Sequence, residues 1–196
     1  DEWEAIVELV NEAGGTLDGP YGDSLRGLNR KSSPGASGFS FHYSGRAVDI
    51  NQGLAGGKGV RYFLEQEVVG TRTFWRIHCK TDKQDGSQGK ELKKGEVTCF
   101  LPYNEKNFDI PKGFYIDLTA TIESSGKFER IPAQKGFDDP SVDKHTREKK
   151  FEWWHFQYTV DKQATFLDEV ELIGFSEKEL ISRGWKTLAD RDHAPG

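Results

Sequence analysis

The first residues keep a helical rhythm. Trp3, Ile6, Val7 and Val10 recur at the i, i+3, i+4, i+7 spacing that puts them on one face. This predicts a helix over residues 2–13, ended by Gly14 and Gly15. From 14 to 38 the periodicity gives way to Gly, Ser and Pro, with Arg26, Arg30 and Lys31 among them, the composition of a long loop or a set of turns. Residues 39–51 (FSFHYSGRAVDIN) run into a short strand, Ala47 to Ile50, and a Gly-rich loop at 53–59 follows. That loop lacks the Ser or Thr that follows the Lys of a phosphate-binding loop, so it reads as an ordinary connection.

From Val60 to Phe100 the pattern is that of strands. VRYFLEQEVV and RTFWRIHCK, joined at Gly70, predict a hairpin. Residues 81–95 are polar and read as exposed, and GEVTCFLPY is a further strand. GFYIDLTATIE and KFERIPA predict a second hairpin that turns at Ser124 to Gly126. Residues 136–150 read as polar loop, followed by the most aromatic stretch, FEWWHFQYTV. The last element is a helix over 176–189, with Ser176 and Glu179 as a capping box and Phe175 and Leu180 as a hydrophobic staple. Leu180, Ile181, Trp185 and Leu188 would form its buried face. The mixture of elements predicts an α+β fold.

Composition narrows the function. The chain has 196 residues, enough for one domain with a true core. Its five Trp, six Tyr and thirteen Phe make it globular despite an apolar share of 35%. The net charge is −5 with both signs interspersed, and the basic run Arg147 to Lys150 is only four residues long, so no nucleic-acid footprint is present. No apolar run approaches the roughly 20 residues that span a bilayer. Cys79 and Cys99 lie in separate strand-like stretches; adjacent antiparallel strands would bring them within disulfide reach, and otherwise they are buried thiols.

The candidate chemistry is that of a metal site. Catalytic zinc takes three protein ligands and keeps a fourth position for water. Of the five histidines, His42 stands seven residues before Asp49, an odd spacing that a continuous strand would point to opposite faces. Gly45 between them can turn the backbone so that the two converge, and Ser40 stands close enough to hydrogen-bond near the site. Glu152 precedes His155 by three residues, a spacing that suits a general base beside a metal ligand, provided Glu152 sits before the strand or at a bulge. Trp153 and Trp154 would wall such a site. His78 reads as structural, His145 as a solvated loop residue and His193 as a terminal one.

The run Ser40-x-His42-x-x-Gly45-x-Ala47-x-Asp49 resembles the motif of the D-Ala-D-Ala metallopeptidase family, and EWWHF is similar to that family's second motif. The resemblance implies that His42, Asp49 and His155 hold Zn2+ and that Glu152 is the catalytic base. It implies an arginine ahead of the first motif that contacts substrate, with Arg30 as first candidate and Arg26 as second. It implies a peptidoglycan stem-peptide substrate and a secreted, periplasmic or cell-wall location, with a leader absent from this chain; a monomer is expected. The family fold is a small antiparallel sheet with helices on one side and a zinc cleft on the sheet. The long gap between the motifs then implies a β-rich insertion at about 60–145 within a single domain. Each zinc-binding histidine should have an outer hydrogen-bond partner.

HYSGRAVDI is also similar to the zinc site of the Hedgehog signalling domain, which shares that fold and acts as a ligand. There the third ligand lies in a His-Cys pair, as in His78-Cys79, but no carboxylate stands just before His78, and the Glu152–His155 set is the complete one. A zinc-bearing binding module, or a peptidase for ordinary L-peptides, is the alternative reading.

Overall fold

The computed structural model describes residues 2–17, 21, 40–55, 60–101, 106–148, 150–163 and 165–183. The fold is α+β, built on two antiparallel sheets. The smaller sheet has the order β1-β9-β8, from Ala47–Asp49, His155–Tyr158 and Phe128–Arg130. The larger has the order β4-β7-β3-β2-β5-β6, from Lys90–Leu92, Gly113–Asp117, Arg72–Lys80, Tyr62–Val69, Thr98–Leu101 and Lys106–Asp109. The six-stranded sheet thus lies, in sequence, between the two strands that carry the candidate metal ligands.

Helix α1, Glu2–Glu12, buries Ile6 and Val10, and Trp3 and Val7 pack against the same core. Gly14, at φ 83, lets the chain leave the helix. Trp3 stands edge-on to Phe128 of β8 at 5.1 Å, which seats α1 near the small sheet. The main core joins α1 to one face of each sheet through Val48, Phe156, Leu64, Trp75 and Ile77. The β2–β3 hairpin forms as its pattern predicts, with Gly70 at φ 63 in the turn.

Two expectations about these elements are corrected, and the alternative left open for the cysteines is decided. GFYIDLTATIE does not continue as a strand: after β7 the chain enters helix α2, Leu118–Glu123, because the Asp117 carboxylate accepts from Ala120 N at 2.8 Å and caps it. Leu118 and Ile122 then share the buried face at helical spacing. Residues 136–150 contain a short helix α3, Lys144–Glu148, begun by Asp143 accepting from Thr146 N at 3.0 Å. The cysteines cannot pair: β2 lies between β3 and β5, with Tyr62 opposite Cys79 and Glu65 opposite Cys99. Two strand spacings separate them by about 10 Å, and the odd offset along β2 puts them on opposite faces, beyond disulfide reach. Both are buried free thiols.

Near the C-terminus, α4, Phe166–Leu172, carries a capping box from Thr165 and Asp168 that the sequence reading missed. The expected capping box of Ser176 and Glu179 is present on α5, Glu177–Ser182. Leu180 is buried and Phe175 packs with it, but Ile181 is 49% exposed, so it does not belong to the buried face. Trp185 and Leu188 lie outside the described residues. Among the described residues no helix is long and apolar enough to cross a membrane.

Candidate metal centre

His42 is carried by a 3-10 turn, Phe41–Ser44, and Asp49 ends β1. Ser40 caps the turn, its Oγ accepting from His42 N at 3.4 Å. Gly45 closes it in the left-handed conformation, φ 70 and ψ 18. A side chain at that position would meet the steric cost that keeps L-residues out of this region. The turn and the glycine together resolve the odd spacing, since His42 is folded back over the strand that bears Asp49. The register then places Asp49 directly opposite His155 on β9, so both side chains leave the same face.

Three donor atoms meet there. His42 Nε2 is 3.1 Å from Asp49 Oδ1, His155 Nδ1 is 3.0 Å from the same oxygen, and the two nitrogens are 3.2 Å apart. Hydrogen bonding alone serves this triangle poorly, because a carboxylate brings no proton and a ring N–H directed at one neighbour cannot serve the other. A cation at its centre uses all three lone pairs at once. Donor atoms around a tetrahedral ion with bonds of about 2.0–2.1 Å lie about 3.3 Å apart, close to the observed separations. His42, Asp49 and His155, all buried, could hold a metal ion.

Burial would raise the Asp49 carboxyl, but hydrogen bonds from His155 and His42 outweigh it and hold the pKa at about 2. A ligand carboxylate must be ionised to bind a metal, and this one is. Among the described residues the expected outer partners of the histidines are not found: His42 Nδ1 and His155 Nε2 are buried with no hydrogen bond there. Besides their contacts with Asp49, the two rings meet edge to face at 90° with centroids 4.8 Å apart.

Glu152 lies before β9, so the strand parity that would have separated it from His155 does not apply. Its carbonyl accepts from His155 N at 3.1 Å, closing a turn over Trp153 and Trp154. Its φ of 53 is unusual for a residue other than glycine and directs the chain into that turn. Desolvation pushes its carboxyl above the usual carboxylate value, against the lowering pull of His155. The exposed Gln134 side chain donates to Glu152 Oε1. Nothing in the sequence pointed to Gln134, because it comes from a loop 18 residues away in the chain.

The other candidates fall elsewhere. Arg30 and Arg26 lie outside the described residues, as does His193. His78 sits on β3 of the six-stranded sheet, its Nε2 2.8 Å from Glu65 Oε2, and takes no part in the cluster. His145 is exposed on α3. Trp153 is a core residue at 2% exposure, with Tyr62 edge-on at 6.3 Å, while Trp154 is half-buried.

Sequence reasoning also passed over Arg46, which stands between His42 and Asp49. It donates to Val160 O at 2.6 Å and Asp161 O at 3.1 Å and forms an ion pair with buried Glu169 of α4. Tyr43 meets Phe166 edge-on at 6.0 Å, a second tie between the His42 turn and α4. No family model, curated protein or solved structure matches the chain.

Proposed function

We propose that this chain is a zinc peptidase that hydrolyses peptidoglycan stem peptides. The observation that carries this reading is the convergence of His42, Asp49 and His155, with Glu152 in the turn that leads into His155. Two imidazoles and one carboxylate are a donor set that suits zinc and leaves room for further ligands. Bound there, zinc would supply Lewis-acid polarisation of the scissile carbonyl and acidify a water.

Glu152 takes the proton from the attacking water and passes it to the leaving amine nitrogen. Its partial desolvation makes it a stronger base than a solvated carboxylate, and Gln134 steadies one of its oxygens. Arg30 is proposed to grip a substrate carboxylate or the developing oxyanion. The stem-peptide substrate and the cell-wall setting come from the motif resemblance.

The test is elemental analysis of wild type and His155→Ala together with a muropeptide digest. About one zinc per chain, lost in the variant, with release of a peptide fragment by wild type, is the expected result. Full zinc occupancy in His155→Ala would remove that ligand. Zinc with no cleavage would point to a binding module.

A further inference from the structure

The face of the small sheet that bears the candidate metal ligands also holds the polar side chain of Gln157. Along β9, His155 and Gln157 are two residues apart and therefore share a face, while Phe156 between them enters the main core. Across β1, Asp49 stands opposite His155 and Ala47 stands opposite Gln157. Across β8, Gln157 faces Glu129, which is exposed. On this face the register therefore sets Gln157 between buried Ala47 of β1 and exposed Glu129 of β8, one pleat along from His155.

Gln157 is 6% exposed, and among the described residues its buried Nε2 has no hydrogen-bond partner. A buried amide donor with no acceptor costs folding free energy, and a purely structural position would favour an apolar residue of the same size. Such an atom is explained when the acceptor arrives with a ligand. Two residues of strand place its Cα about 6.6 Å from that of His155, roughly the distance from one peptide group of an extended chain to the group beyond its neighbour.

We infer that Gln157 is a substrate-binding residue whose side-chain amide donates a hydrogen bond to a backbone carbonyl of the bound peptide, flanking the bond at the metal. The inference rests on the peptidase reading for its ligand. It assigns peptide-backbone recognition, independent of the substrate's side chains, to β9. An amide is suited to this, since it is neutral and pairs with a peptide carbonyl in the geometry of a sheet hydrogen bond.

The test uses Gln157→Met, which keeps length and volume and removes the amide. Metal content, thermal midpoint and cleavage of a muropeptide ending in D-alanyl-D-alanine are measured on the zinc-loaded chain. Binding of the same peptide is measured by calorimetry in a Glu152→Gln background that prevents turnover. Expected are unchanged zinc, an equal or raised midpoint, and a five- to ten-fold loss in both affinity and kcat/KM, about one neutral hydrogen bond. A lowered midpoint would show the amide to be structural and overturn the inference. Unchanged affinity with intact cleavage would overturn it and leave the peptidase reading standing. No binding and no cleavage by the parent proteins would overturn both.

Discussion

Asp49 and His155 face each other across the register of β1 and β9, with Oδ1 and Nδ1 3.0 Å apart. They are 106 residues apart in the chain, and the six-stranded sheet fills most of that interval. The small sheet is thus the device that turns two distant sequence motifs into one donor set. Its chemistry depends on which further groups reach the same spot.

Glu152 is the group that separates an enzyme from a binding module. Glu152→Gln keeps the shape and the contact with Gln134 and removes the proposed base. Zinc content should stay at wild-type level while muropeptide cleavage falls by at least about a hundred-fold, the lower end of what a general base contributes. Retained cleavage in a zinc-replete variant would remove Glu152 from the mechanism.

Acid should expose the value of the Asp49 contacts in the metal-free protein. The folded carboxyl is held at about 2, below its ordinary 3.8. A depressed carboxylate stabilises the fold above its unfolded pKa, and that contribution is lost as pH falls through the folded one. Wild type should therefore exceed Asp49→Asn by about 2 kcal/mol near pH 5, and the gap should narrow towards pH 2. Urea titrations of both chelated proteins at several pH values would check this; a constant gap would contradict it.

The Arg46–Glu169 pair should matter to the whole C-terminal region. Glu169 is 1% exposed, and removing it leaves the half-buried Arg46 guanidinium without this counter-charge. Glu169→Ala should cost about 3–5 kcal/mol, and replacing both residues by methionine should recover most of it. Thermal melts of the two variants decide the matter: equal losses would mean that packing on α4, not the ion pair, is what counts.

Cys79 and Cys99 should remain reduced in air. Burial raises both thiols, that of Cys99 to about 12, which suppresses the reactive thiolate. A thiol reagent should titrate two groups after denaturation and react slowly before it. A single species of shifted mobility on a non-reducing gel would contradict the strand order.

The sequence alone determined those features whose physics is local. The apolar face of α1 and the capping box of Ser176 and Glu179 depend on residues within a turn or two of each other. The candidate ligand residues were legible because His42, Gly45 and Asp49 lie within one short segment, where glycine's access to the left-handed region reconciles their spacing. The strand order was not legible, since pairing is decided by which apolar faces can be buried together over long separations. That is why β2 between Cys79 and Cys99, α2 in place of a strand, and the pairing of Arg46 with Glu169 emerged only in three dimensions. It is also why Gln157, one polar residue in an aromatic stretch, acquired meaning only once β9 was seen to hold it on the face of His155.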